Sequence, residues 1–300
     1  MSVAAWVMFV LFFVWSFMGM PIGHAMIASG IVYLFMTNQD LGLVASQSLN
    51  GLYGSFVLLA VPLFILAAEI MNASIMTDKL FGFANVLVGR FKGGLAQVNI
   101  VASVIFSGMS GSALADAAGP GKLEVDMMVK AGYKPGFAAA LSTTSAIIGP
   151  IIPPSIPMVI YGVVSDTSIG FLFIGGIVPG LLLAFAQSMI VIVMARYKDF
   201  PVEPKPTLKE ATETTLGALP ALCLPIILLG GIYSGAVTPT EAAAVASLAA
   251  LLLAFFWYRT LSLRAFYHVL VASARSTSIV AITIAGALVM NWRSHRRLMP

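Results

Sequence analysis

Two clusters of residues in this chain have the types and spacing to hold an ion and an acid. The first is Ser107-Gly108-Met109-Ser110-Gly111-Ser112, with Asp116 just beyond it. The second is Thr143-Thr144-Ser145, followed by Gly149-Pro150-Ile151-Ile152-Pro153-Pro154-Ser155. Hydroxyl and backbone carbonyl oxygens with no required net charge suit Na⁺, whereas a transition metal would want histidine or cysteine. The candidate cation ligands are Ser107, Gly108, Ser110, Thr143, Thr144 and Gly149. A helix C-terminus offers free carbonyls and partial negative charge, and a helix N-terminus offers free N–H groups suited to a carboxylate. Ser112 and Ala113, and Pro154 and Ser155, lie where two helices would start, and are the candidate substrate-carboxylate residues. Asp116 is the acid set deepest in the first cluster. It suits cation binding, a proton relay, or a structural role as a first-turn acid complementing the helix dipole. His24, His268 and His295 fall outside both clusters, and the single Cys223 sits mid-span, so no transition-metal centre or disulfide is expected.

The elements around these clusters are dictated by composition. Of 300 residues, 59% are hydrophobic and 9% charged, with a mean hydropathy of +0.98. This is an all-α polytopic membrane protein, because a helix crossing ~30 Å of hydrocarbon needs about 20 apolar residues. Candidate spans cover 3–20, 22–37, 55–72, 136–164, 170–195, 216–234, 241–258 and 278–292. The first follows no basic residue and leads straight into the second, so it reads as a span and not a signal peptide. Residues 94–130 are too interrupted for a span and read as a re-entrant hairpin, with legs at 95–106 and from about 112 to 130. Span 136–164 is broken, with halves at 136–148 and from about 155, because Pro150, Pro153 and Pro154 supply no amide donors. In hydrocarbon, interrupted backbone is tolerated only in a protein interior or along a wet cavity. Secondary transporters build their sites from such breaks.

Charge follows topology. Counting crossings places Lys79, Arg90, Lys92, Lys122, Lys130, Lys134, Arg196, Lys198, Lys205, Lys209, Arg259, Arg264 and Arg275 on one side. That is 13 of the 16 basic residues, so this side is cytoplasmic and the N-terminus faces outward. The net charge of +4 therefore points to a bilayer and not to nucleic acid. Arg293, Arg296 and Arg297 fall on the opposite side by the same count. This suggests that 293–300 is an aberrant tail, truncated or frame-shifted, or else that the last helix is short and does not fully cross.

An internal repeat is visible. Pro21, joining the first two spans, and Pro239, joining the sixth and seventh, sit at nearly the same offset as Val61–Asn72 and Val280–Asn291, where Met71-Asn72 falls on Met290-Asn291. An odd number of crossings separates the copies, so the second is inverted. The expected parts are 1–198, the first transport repeat; 199–215, a cytoplasmic connector; 216–292, the start of the second repeat, which is incomplete; and 293–300, the tail. Segments 77–92 and 262–275 read as amphipathic helices at the cytoplasmic surface or as basic connectors.

At these residues the chain resembles the large membrane subunit of tripartite ATP-independent periplasmic (TRAP) transporters. The resemblance rests on Gly19-Met20-Pro21-Ile22, on Val61 to Glu69 (VPLFILAAE), on Phe106 to Asp116 (FSGMSGSALAD) and on Ile147 to Ser155 (IIGPIIPPS). It covers about 1–292. It implies an elevator-type, Na⁺-coupled importer of organic acids in the bacterial or archaeal inner membrane, with a periplasmic N-terminus. It also implies a small membrane subunit and a periplasmic substrate-binding protein as partners. Ser107–Ser112 would be the inner hairpin tip, and Thr143–Pro154 the first unwound segment. The family's second hairpin and second broken helix would lie beyond Trp292, so the resemblance implies a fragment unable to transport alone.

Three other readings compete, one of them a purely structural membrane subunit. Another is a different ion-coupled anion carrier. The last is an intramembrane serine protease, because Gly108-Met109-Ser110-Gly111 fits a G-x-S-G pattern. That chemistry needs a histidine base within hydrogen-bond reach of the serine, and neither His24 nor His268 is placed for it.

Overall fold

The computed structural model describes residues 2–198, 200–202 and 206–295, with side chains through Met290. Lys205, Arg296 and Arg297 of the charge count, parts of the 199–215 connector, and 296–300 of the expected tail lie outside the described residues. Among the described residues every regular element is helical. In order these are α1 (Val3–Phe17), α2 (Ile22–Met36), α3 (Gly42–Tyr53), α4 (Ala60–Asn72), α5 (Met76–Val88), α6 (Gly94–Ser110) and α7 (Ala113–Ala118). They continue as α8 (Pro120–Lys130), α9 (Pro135–Ala146), α10 (Ile156–Ser165), α11 (Ile169–Tyr197), α12 (Leu208–Tyr233), α13 (Pro239–Leu252) and α14 (Leu263–His295).

Helix length separates the elements that can cross a membrane from those that cannot. Among the described residues, α11, α12, α13 with its π-helical extension to Trp257, and α14 through Met290 are long and apolar enough to cross. By contrast α6 has 17 residues, α9 has 12 and α10 has 10. At 1.5 Å per residue these reach about 25, 18 and 15 Å, short of the ~30 Å core. Their ends must therefore meet protein and not lipid. On α11, Phe171, Ile174, Val178, Leu182, Phe185 and Ile190 are exposed, as a bilayer-facing surface requires. Its opposite face carries small residues. A side chain on Gly176 would strike Ile151 O, and one on Gly180 would strike Ile152. Small residues let α11 lie close against the break between α9 and α10.

The structure departs from the sequence reading in three places. Helix α3 was not expected. The reading of 262–275 and 278–292 as separate elements is replaced by one 33-residue helix. Arg264 and Arg275 sit exposed on it, and a helix can continue while long cations point outward. The hairpin's returning leg is also interrupted: α7 stops at Gly119 (φ −87°, ψ −93°) and α8 restarts at Pro120. Pro at the first helical position gives up no hydrogen bond, which makes it a natural restart.

The chain forms two compact units, Met1–Leu58 with Ala274–Pro300, and Leu59–Ser273. In the first, α1 packs on α2, and α2 receives α14 through glycines. Side chains added at Gly23 and Gly30 would strike Ile282 and Val289, and one at Gly286 would strike Met26. In the second, α4 packs along α13, with Ser247 Oγ donating to Leu63 O at 2.7 Å. Leu63 and Ile282, like Ile70 and Val289, stand 219 positions apart, the offset expected of the repeat. Also in the second unit, Met76, Leu80, Phe81 and Ala84 bury one face of α5 with Val98 and Phe106 of α6 and Leu224 of α12. The 77–92 segment is therefore a packed helix, not a bare connector. A second core joins Leu95, Ile100, Met128, Leu141, Ile148 and Ile152, fastening α6, α8 and α9 together.

Candidate functional site

The hairpin tip and the helix break meet backbone to backbone. Helix α6 continues four residues past its expected end, so Ser107, Gly108 and Ser110 lie in its last turns. Only Gly111 (φ 61°) leaves the helix, in the left-handed region that glycine adopts at least cost. Its C=O accepts from the Ile156 N–H at 3.3 Å, and a side chain there would strike Pro154 O. Gly108 is not a turn residue. It is a contact point, with room for no more than a tight Cβ at 3.0 Å from Pro225.

Both new helices start from serine caps. Ser112 (φ −134°) accepts from Ala115 N at 3.3 Å, and Ser155 (φ −128°) accepts from Met158 N at 3.3 Å. Each satisfies one of the orphan N–H groups of a first turn. Ser155 Oγ also donates to Pro150 O at 2.6 Å, closing the unwound segment on itself. Ser155 and Pro154 are buried, and Ala113 is half-buried at the head of α7.

Ser112 caps the returning leg, and Asp116 stands in the first turn of α7, where an acid complements the helix dipole. Asp116 is 4% exposed, and its Oδ1 accepts from Ser110 Oγ at 2.5 Å, across the Gly111 turn. Its Oδ2 is buried without a hydrogen-bond partner among the described residues. That oxygen points at Gly149, where an added side chain would collide with it. Hairpin and break therefore share one point, built from Ser110, Gly111, Asp116, Gly149, Pro154 and Ser155. Ser107 is also fully buried, donating to Val104 O at 2.6 Å.

Thr143 and Thr144 do not turn toward the hairpin. Both are exposed, and their hydroxyls donate to Ala139 O and Ala140 O at 2.8 and 2.6 Å. The inward face of α9 carries Ser142 and Ser145, three residues apart and hence on one side of the helix. Ser145 Oγ donates to Asn99 Oδ1 at 2.6 Å. Asn99 Nδ2 donates to Ser142 Oγ at 2.5 Å, and Ser142 Oγ donates to Glu124 Oε2 at 3.1 Å. Asn99 and Glu124 are 0% and 2% exposed. This network ties α6, α8 and α9 together, and sequence reading missed it. The available signal was an amide and an acid inside otherwise apolar or hairpin segments, where burial demands partners. On the far side, Gln187 of α11 donates to Thr144 O at 3.0 Å.

Short helices that stop and start against one another, around a buried carboxylate and hydroxyls, mark an all-α polytopic membrane protein of the broken-helix kind. The chain belongs to the family of the tripartite ATP-independent periplasmic transporter, DctM component, whose model matches residues 9–297. This is a family of transporters and not of hydrolases, and it removes the serine-protease reading. The chain is 44% identical over 285 residues to the sialic acid TRAP transporter large permease protein of Vibrio cholerae, covering 95% of this chain and 66% of that protein. It is 40% identical to the 2,3-diketo-L-gulonate TRAP transporter large permease protein of Escherichia coli, covering 91% and 64%. A C4-dicarboxylate TRAP transporter large permease protein of Pseudomonas aeruginosa is 40% identical, with 78% and 55% covered. The chain thus spans between about half and two thirds of the length of these relatives.

Proposed function

We propose that this chain forms part of a large permease subunit that imports an organic acid together with Na⁺, by an elevator movement. The observation that carries this reading is the buried, unpartnered Asp116 Oδ2 at the point where hairpin and break meet. A buried carboxylate without a counter-charge is costly, and a cation bound beside it would remove the cost. Carbonyls at the end of α6 and the Ser107 and Ser110 hydroxyls supply the remaining oxygen ligands, with Gly108 and Gly149 admitting close backbone approach. Thr143 and Thr144 donate their hydroxyl protons along α9, as Ser107 and Ser110 donate theirs elsewhere, and their oxygens keep lone pairs for a cation.

The relatives' names supply the substrate class. Sialic acid, 2,3-diketo-L-gulonate and C4-dicarboxylates all carry a carboxylate. The anchor for it is the head of α10 at Ser155, with Pro154, Ser112 and Ala113 beside it. The partners are a small membrane subunit and a periplasmic substrate-binding protein. The positive-inside distribution supports a multi-pass protein of the inner membrane whose N-terminus faces the periplasm.

The test is uptake into proteoliposomes holding this subunit with its small partner and a loaded binding protein. Sialic acid and succinate serve as probe substrates. An inward Na⁺ gradient should drive accumulation, Asp116→Asn should weaken Na⁺ dependence, and Ser112→Leu should abolish uptake. Accumulation indifferent to Na⁺, or unchanged in Ser112→Leu, overturns the reading.

A further inference from the structure

Glu124 takes no part in the junction of hairpin and break. It stands on α8, in the hairpin's returning leg, and is 2% exposed. Ser142 Oγ donates to its Oε2 at 3.1 Å. Among the described residues its Oε1 has no hydrogen-bond partner, and no cation lies within ion-pair distance of either oxygen. Lys122, Asp126 and Lys130 share the helix, but all three are exposed. An acid held this way inside a membrane bundle is a functional candidate.

The helices packed on α8 bring no compensating charge. They are α6, α7 and α9. Helices α6 and α9 carry no titratable residue, and α7 carries only Asp116, a second buried acid. Tyr133, in the core shared with Met128, packs on Phe137 and Phe200. A side chain on Gly121 would come within 3.0 Å of Asp116 O and 3.9 Å of Ser142 Cβ, so the surroundings of the two acids adjoin. The network around Glu124 also has a direction. Ser145 donates to Asn99, Asn99 to Ser142 and Ser142 to Glu124, and the carboxyl is where the chain of donors ends.

We propose that Glu124 is a proton-binding site, a neutral carboxylic acid in the folded protein at neutral pH, with the proton on Oε1 while Oε2 accepts from Ser142. An ionised Glu124 would be a buried charge with a single hydroxyl donor and no counter-ion, and such a group takes up a proton in preference to staying charged. The position of the proton follows from the network. Ser142 Oγ aims its hydrogen at Oε2, which leaves Oε1 as the oxygen without a donor facing it. The inference is independent of the transport reading, because the proton binds without substrate, Na⁺ or partner.

The experiment is infrared difference spectroscopy of the detergent-purified chain, titrated with pH in Na⁺-free buffer. The carbonyl stretch of a protonated carboxylic acid should be present at neutral pH and fade as the pH is raised. That band should be lost in Glu124→Gln and kept in Asp116→Asn. Ser142→Ala removes a hydrogen bond that favours the ionised form, so the midpoint should rise by about one pH unit, a roughly tenfold gain in proton affinity. The parent's melting temperature should fall as the pH rises from the range where exposed glutamates ionise, because the folded protein must then hold a proton that the unfolded chain releases. Glu124→Gln keeps the neutral shape and should fall less steeply. The proposal is overturned if the band is absent at neutral pH, if it survives in Glu124→Gln, or if it vanishes in Asp116→Asn, which would give the proton to Asp116. Loss of the band in Asp116→Asn on adding Na⁺ would make Glu124 a cation ligand and overturn it too. Should Glu124→Gln not fold, a midpoint unmoved by Ser142→Ala is the overturning result.

Discussion

The Asp116 carboxylate occupies the volume that any side chain on Gly149 would claim. Two residues 33 positions apart thereby fix the hairpin against the break. Gly149→Ala should force the carboxylate or the backbone aside, at the roughly 1–3 kcal/mol typical of overpacking. The expected result is a lower melting temperature in detergent, with most of the loss recovered in Gly149→Ala/Asp116→Ala. Strictly additive effects in that cycle would show that the two residues do not touch.

The Asn99 network makes a second prediction. Asn99→Leu removes the acceptor of Ser145 and the donor to Ser142, leaving buried hydroxyls to find other partners. Unsatisfied buried groups cost about 1–3 kcal/mol each, and polar contacts inside membrane bundles fall at the low end. The melting temperature should therefore fall clearly in Asn99→Leu. Thr143→Val should stay within about 0.5 kcal/mol of the parent, as exposed positions do. Equal losses in the two variants would refute the assigned inward face of α9.

The two serine caps are predicted to differ. Removing a cap costs about 1 kcal/mol. Ser112→Ala loses only its bond to Ala115 N, whereas Ser155→Ala also strands the Pro150 carbonyl. Hydrogen exchange should accelerate more across 150–158 in Ser155→Ala than across 112–118 in Ser112→Ala. The reverse order would mean that the Ser155–Pro150 bond contributes nothing.

Much of the architecture was readable before any coordinates. Glycine and proline clusters inside apolar runs marked both interruptions, because several fall together there, whereas single prolines such as Pro179, Pro220 and Pro225 lie inside continuous helices. Helix α3 was missed because Gln47, Asn50 and two glycines dilute its apolar signal. The join inside α14 was misread because charge at 264–275 suggested an interface, although backbone hydrogen bonding is indifferent to exposed arginines. Which hydroxyls of α9 face inward was not legible, since about 100° of rotation per residue separates Thr143 and Thr144 from Ser142 and Ser145, and composition carries no phase.

Taken alone, the amino-acid order determined that this is a helical membrane protein, where two of its interruptions fall, and which serines stand at them. These are local properties, fixed by hydropathy and by the few backbone conformations that glycine and proline allow or forbid. Only the folded structure decided which groups face one another: Asp116 against Gly149, Asn99 between Ser142 and Ser145, and Glu124 against Ser142. Such pairings depend on the rotation and depth of whole helices, which side-chain packing between distant segments sets.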